Sequence, residues 1–289
     1  MKLIKVKITP YSSFITFPKG DTIFGHFAYH SFIQGEKIFK NYLKEAPKII
    51  FSDILPDGYV YKPTLSLKSF GVEDSDKKEF RKKSWITVED LQKGELLKVK
   101  ELSFYKTQIK VRNSLNRITF STDDSGEFAP FNLEEITFIY QPVIYILFDE
   151  DTFSEDKILK RLNLIGQNGF GKKGSIGKGH FRAEIDESFK DFSKVESDYY
   201  LTLSPTILHK SKDVIEKAYY NTFNRFGKSH SSQTPFKKPL LMADSGAVIK
   251  LKTYKKYIGG AIDNGINKPS LVQGYSILVP FKFDGKDKS

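Results

Sequence analysis

The residues best suited to chemistry lie between Ile165 and Arg182, in the run Ile165-Gly166-Gln167-Asn168-Gly169-Phe170-Gly171-Lys172-Lys173-Gly174-Ser175-Ile176-Gly177-Lys178-Gly179-His180-Phe181-Arg182. Six glycines and three lysines fall inside it, with no acid. Glycine lets the backbone take positive φ and removes the Cβ that would hold a ligand away from the amides. Successive N–H groups in such turns form concave anion sites. Lysines around them suit a polyanion, phosphate first. The alternative is a flexible glycine linker. Linkers favour Ser and Gly over Lys and Phe, so the anion site is the preferred reading.

Two phosphate motifs overlap the run. Gly169 to Gly174 satisfies G-x-G-x-x-G, and Gly166 to Lys172 nearly satisfies a P-loop, although Lys173 stands where Ser or Thr should bind magnesium. Both motifs need a strand before the glycines and a helix after them. The order here is reversed. Ser154 is a helix N-cap with Glu155 and Asp156 in the first turn, and Ile158, Leu159, Leu162 and Ile165 recur at helical spacing. His180 to Ile185 reads as a strand. Helix, glycine loop, strand excludes the dinucleotide and nucleotide-triphosphatase readings.

Acid–base candidates are few. His26 and His30 lie four apart, on one face of a helix. That spacing suits zinc, but Phe27 occupies the glutamate place of H-E-x-x-H. There is no cysteine and no evident third ligand, so neither a metal nor another cofactor is expected. The plainer reading is two histidines on a half-buried or RNA-facing helix. Ser204, Ser211 and the other histidines form no triad.

The elements that must position these groups follow from the chain. Its 289 residues suffice for two compact domains, and 39% hydrophobic residues allow a core. The net charge of +11 points to an acidic partner, nucleic acid before an anionic membrane. Scattered lysines without a basic amphipathic helix argue against the membrane, and a lysine-rich soluble surface is the plain alternative. Met1 to Ile8 alternates, as a strand does and a signal peptide does not. The longest apolar run, Pro142 to Phe148, is far short of a membrane span. A cytoplasmic location is the expectation.

In order, the pattern predicts a strand at 2–8 and strand or loop over 11–18. A helix from Gly20 follows, capped by Asp21, with Ile23, Phe24, Phe27, Ala28 and Phe32 apolar. It then predicts a helix over 36–46 and a strand over 48–55. Residues 71–130 are charge-dense, and Gln108-Ile109-Lys110-Val111-Arg112 reads as a hairpin strand with one basic face and a turn at 113–116. A long strand at 135–148, broken at Pro142, comes next. After the glycine loop the pattern predicts strand 201–208, helix 213–226, strand 240–252 and strand 275–283. The stretch 223–241, with Arg225, Lys228, Lys237 and Lys238, is basic, and 227–234 reads as a loop. Lys250, Lys252, Lys255 and Lys256 form another basic group, and the tail from Asp284 is expected to fray.

Gly169, Gly171, Ser175, Gly177, Gly179 and Phe181 fit G-x-G-x-x-x-S-x-G-x-G-x-F, between helix and strand. This resembles the signature of the RAMP superfamily of CRISPR-associated RNA-binding proteins. Lys19-Gly20-Asp21-Thr22-Ile23-Phe24-Gly25 resembles a second hallmark of that superfamily. Within it the chain is most similar to the crRNA-handle-binding subunit of the type III-A Csm effector complex, and Val111 to Thr119 resembles a recurrent stretch of that subunit. The resemblance implies an α+β chain of two ferredoxin-like (RRM-like) domains side by side. These are placed at 1–149, with an inserted β-hairpin thumb within about 71–130, and at 150–289, with the glycine loop 166–179 at its start.

It further implies a non-catalytic subunit holding the 5′ repeat-derived handle of crRNA. Its expected partners are the large polymerase-like subunit and the adjacent backbone RAMP subunit, with target RNA met only indirectly. The expected RNA-binding residues are Gly169, Phe170, Gly171, Lys172, Lys173, Ser175, Gly177, Lys178, Gly179 and His180 in the loop. Lys110, Arg112, Asn113 and Arg117 belong to the thumb, and Lys19 and Thr22 to the first helix. The alternative is a metal-independent RAMP endoribonuclease in which His26 or His30 is the general acid or base. Those enzymes usually carry the glycine motif near the carboxyl terminus, whereas here roughly a hundred residues follow Gly179, enough for another compact unit. Asp21 matches the region of the cutting aspartate of the backbone Csm subunit, but the helix cap explains it.

Overall fold

The computed structural model describes residues 1–122, 126–195, 197–227, 236–266 and 270–285. Strand β1 (Lys2–Pro10) is the centre of the first sheet, because Ile4, Val6 and Ile8 alternate with Lys5 and Lys7. It is followed by helix α1 (Gly20–Ile33) and the short strands β2 (Ile49–Phe51), β3 (Leu55–Pro56) and β4 (Tyr59–Tyr61). A helical insertion holds α2 (Leu67–Phe70), α3 (Lys77–Lys82), β5 (Trp85–Thr87) and α4 (Val88–Lys93), tied down by buried Trp85, Ile86 and Leu91. Next come β6 (Tyr105–Arg112), β7 (Phe131–Phe138), β8 (Pro142–Phe148), α5 (Glu155–Asn168) and β9 (Phe181–Ile185). The remainder is β10 (Tyr199–Thr202), β11 (Ile215–Tyr219), β12 (Thr222–Arg225), β13 (Leu240–Ala243), β14 (Val248–Leu251), β15 (Tyr257–Asp263) and β16 (Leu271–Phe281).

The first sheet runs β2-β8-β1-β9, all antiparallel, with β3 also on β8. β8 is buried along its whole length, as expected of a continuous Val/Ile/Leu run covered on both sides. Helices α1 and α5 touch each other over this sheet, burying Ile23, Phe24 and Phe27 with Ile158, Leu162 and Ile165. Because β9 pairs with β1, α5 and the glycine loop are built into the first sheet. They do not open a second unit at residue 150, as the expected boundary has it. The second sheet runs β11-β14-β10-β16-β15. Gln273 of β16 locks the sheets together: its Nε2 donates to Phe51 O at 2.7 Å, and its Oε1 accepts from Phe51 N at 2.9 Å.

Several expectations are corrected. The helix over 213–226 is instead the strands β11 and β12. Val214, Ile215, Tyr219, Thr222 and Phe223 are β-branched or aromatic, and β14 and β13 supply the partner strands. Residues 36–46 form successive turns; Lys40 N–H reaches Lys37 O, Tyr42 N–H reaches Phe39 O, and Lys44 N–H reaches Asn41 O, without a continuing helical ladder. The strand over 135–148 is two strands in different sheets, β7 pairing with β6 and β8 with β1. The strand over 240–252 is split into β13 and β14 at Asp244-Ser245-Gly246. Lys19, not Asp21, is the N-cap of α1, whereas Ser154 caps α5 as expected, its Oγ accepting from Lys157 N–H at 3.2 Å. Lys228 to Thr234 and the final four residues lie outside the described residues.

Candidate nucleic-acid interface

The glycine loop leaves α5 at Asn168 and enters β9 at Phe181. Most of its amides are committed within the protein. Phe170 N–H donates to Gly179 O (2.9 Å), Gly171 N–H to His26 Nε2 (3.2 Å) and Lys172 N–H to Thr16 Oγ1 (3.2 Å). Gly179 N–H donates to Ser13 O (2.9 Å) and His180 N–H to Ser12 Oγ (2.9 Å). Those of Ile176, Gly177 and Lys178 close turns on Lys173 and Gly174. An amide cradle for phosphate is therefore absent at these positions, contrary to the sequence expectation. Packing accounts for the glycines instead. Gly179 has φ +71°, and a Cβ there would overlap the Phe170 carbonyl and sit 2.7 Å from its nitrogen. A Cβ at Gly171 would lie 2.6 Å from Thr16 Cβ.

Phe170 is buried against His26 (ring centroids 4.5 Å) and Phe14 (6.2 Å), so it belongs to the core and does not stack on a base. The part of the loop that faces solvent is its tip: Lys172, Lys173, Ser175 and Gly177 are exposed, and His180 is half-buried. Lys173 Nζ rests 5.1 Å from the centroid of the Phe131 ring, at the start of β7. The loop tip therefore leans on the β6–β7 hairpin.

That hairpin is where the thumb is expected. All eight β6 residues are exposed, so the strand stands off the body. Its partner register is Lys106↔Thr137, Gln108↔Glu135, Lys110↔Leu133 and Arg112↔Phe131. The basic face thus shares its side with Glu135 and turns toward the glycine loop. The other face carries exposed Ile109 and Val111. The connection is longer than the expected turn at 113–116; Asn113 and Arg117 are exposed within it.

A strap, residues 11–18, lies between loop and hairpin. Phe14 exchanges both backbone bonds with Ile136 (2.8 and 2.7 Å), Phe17 packs on Tyr105, and Ser12, Ser13 and Thr16 receive the loop. At the centre sits Glu135, its side chain 3% exposed. Lys178, Arg112 and Lys110 all pair with it, at 2.6, 3.3 and 3.1 Å, and the Ser13 hydroxyl donates to it at 2.8 Å. Burial alone would raise the carboxyl, but hydrogen bonds from Lys178, Ser13, Lys110 and Arg112 outweigh it and hold Glu135 at about 2.

The structure therefore brings together Lys110, Arg112, Lys172, Lys173 and Lys178. It separates Lys19 and Thr22 from them. Lys19 Nζ is held by Asp244 (2.8 Å) and Asp53 (3.5 Å), 4.6 Å from the Phe223 ring centroid. Thr22 Oγ1 donates to Lys19 O at 2.8 Å. Both secure the start of α1. Asp21 is buried and paired with Arg225 at 2.6 Å. The two histidines differ in setting: His26 Nε2 accepts from the loop, while burial, then Arg161, pushes His30 below its ordinary value. Among the described residues no group of three or more His, Asp or Glu side chains forms a metal-ion candidate. None of their helices is long and apolar enough to cross a membrane.

Sequence reasoning missed Ser12, Ser13, Thr16 and Glu135. A signal for Glu135 was present. In Phe131-Asn132-Leu133-Glu134-Glu135-Ile136 it shares parity with Phe131 and Leu133, and an acid at an inward position implies cationic partners.

No family model matches the chain, and no curated protein does. Solved structures do match. The crystal structure of a Csm3-Csm4 subcomplex of the type III-A CRISPR-Cas interference complex aligns at a TM-score of 0.62 and 17% identity, over 98% of this chain and 100% of that one. A Csm1-Csm4 cassette in complex with pppApA aligns at 0.61 and 17%, over 98% and 99%. The chain has the fold of Csm4. A type III-B Cmr-beta complex bound to cognate target RNA and AMPPnP is more distant, at 0.50 and 17% identity over 85% of this chain. The Csm4 likeness spans both sheets, the insertion and the hairpin of this α+β fold.

Proposed function

We propose that this chain is a non-catalytic RNA-binding subunit of a type III-A CRISPR effector complex, holding the 5′ repeat-derived handle of crRNA. The observation that carries the reading is the seam between the loop tip and the hairpin. Four cations from two distant segments, Lys110, Arg112, Lys172 and Lys173, border it; the Glu135 carboxylate beneath answers only part of their charge. Single-stranded RNA is gripped by such grooves through its phosphates, with sequence read from splayed bases. Phosphate contacts in this reading come from side chains, since the loop amides are engaged. Exposed Asn113 and Arg117 extend the contact along the hairpin.

The first sheet, strand–helix–strand–strand–helix–strand in the order β9-β1-β8-β2, is read as one ferredoxin-like unit with the hairpin inserted. The second sheet is read as a reduced counterpart, since no α-helix lies among its described residues. The similar structures are complexes of Csm4 with Csm1 and with Csm3. A large polymerase-like subunit and a backbone RAMP subunit are the corresponding partners here, with target RNA reached through the bound guide. His26 is held as a loop acceptor, which favours a positioning role over acid–base work.

The test is Lys172→Ala/Lys173→Ala, titrated against repeat-derived RNA over a salt series. Losing two phosphate contacts should flatten the log–log salt slope by about 1.4. An unchanged slope and affinity would remove the loop tip from the site. Site-specific cutting of repeat RNA by the purified chain, abolished in His30→Ala, would replace the binding role with the endoribonuclease reading.

A further inference from the structure

We propose that Glu135 is the positioning residue that fixes the hairpin against the glycine loop, and so sets the spacing at which the seam meets successive RNA phosphates; this rests on the RNA-binding reading above. Oε1 takes Lys178 at 2.6 Å and Arg112 at 3.3 Å, while Oε2 takes the Ser13 hydroxyl at 2.8 Å and Lys110 at 3.1 Å. These donors come from the loop, β6 and the strap, and the carboxylate itself from β7. One side chain therefore closes three segments on each other.

The three cations around it are not equivalent. Lys178 is 12% exposed and also donates to Ser13 Oγ at 2.8 Å, so two of its ammonium donors point inward. It is a tether. Lys110 and Arg112 are 44% and 47% exposed, and each gives Glu135 one contact. An ammonium offers three donors and a guanidinium five. Both therefore keep donors for phosphate while the carboxylate aims them.

A carboxylate that merely diluted the positive charge would do the opposite: its removal would tighten every RNA equally. The experiment is Glu135→Gln in the full chain, with two probes of equal length, a repeat-derived 5′ RNA and a U-only RNA. Binding is measured alongside amide hydrogen exchange of β6 and β7. The U-only RNA should hold or bind tighter, since the chain gains one positive charge. The repeat RNA should weaken by about ten-fold or more, and the hairpin amides should exchange at least about ten-fold faster. Lys178→Met should reproduce the faster hairpin exchange, with the U-only RNA now weakened by the lost positive charge, and the double variant should add little to the exchange of either single variant. Equal shifts for both RNAs, or unaltered exchange in the hairpin, would overturn the proposal. Exchange needs no RNA, so a wild-type chain that binds neither probe refutes the RNA reading while the tether is still tested.

Discussion

Gly179→Ala and Gly177→Ala separate two explanations of the glycine loop. Both residues are left-handed, at φ +71° and +83°. An alanine there costs about 1–2 kcal/mol for backbone alone. At Gly177 nothing lies within 4 Å of the added Cβ, so that is the whole cost. At Gly179 the Cβ overlaps the Phe170 carbonyl, and relief requires breaking the Phe170 N–H to Gly179 O bond. That adds about 1 kcal/mol for the bond and about 2 kcal/mol for loosening Phe170 from its core contacts. The difference between the variants is therefore about 3 kcal/mol, or roughly 5 °C in Tm for a chain of this size. Thermal melts read by near-ultraviolet circular dichroism, with RNA titrations on the folded variants, measure it. If the glycines instead open the amides to phosphate, Gly177→Ala should abolish RNA binding and Gly179→Ala should melt no lower than Gly177→Ala. That pair of results would refute the packing account.

Acid should weaken the seam. Glu135 is depressed from 4.5 to about 2 on folding, so its contribution is complete above about pH 4.5 and lost as pH falls toward 2. The loss amounts to about 3 kcal/mol; stability measured against pH should show this slope in the wild type and lack it in Glu135→Gln. Asp186, depressed by Lys5, Ser188 and Lys7 against the opposing effect of burial, acts in the same direction and remains in both proteins. Asp53→Ala should cost about 3–5 kcal/mol in denaturant melts, because it takes the acceptor from the Gly20 amide, the Tyr61 hydroxyl and the Ser245 hydroxyl around a buried site. Its folded fraction should bind RNA as the wild type does.

The helix, glycine loop and strand from Ser154 to Ile185 were legible because their periods are clean and Ser154 is an ordinary cap. The basic face of β6 was legible for the same reason. What the loop does with its amides was not, since the acceptors sit on Ser12, Ser13, Thr16 and His26, far away in sequence. Lys19 shows the same limit: its partner Asp244 is 225 positions away, and a lysine meant for solvent looks identical to one meant for a carboxylate. Residues 213–226 misled because Ile215, Ala218 and Tyr219 also satisfy a helical spacing, and pairing with β14 decides the outcome. Residues 36–46 misled because Phe39 and Tyr42 are buried one turn apart without a helix between them.

The strap has a consequence for the newborn chain. Ser13 leaves the ribosome early, yet the ammonium it receives belongs to Lys178, 165 residues later. Synthesis runs from the amino terminus at about 5–20 residues per second, so the hairpin and strap are complete several seconds before the glycine loop can reach them. Until then the hairpin's basic inner side is open toward the place the loop will fill. The guide RNA should consequently be recruited only after the first sheet has closed, and a chain released before Phe181 should meet RNA without discrimination.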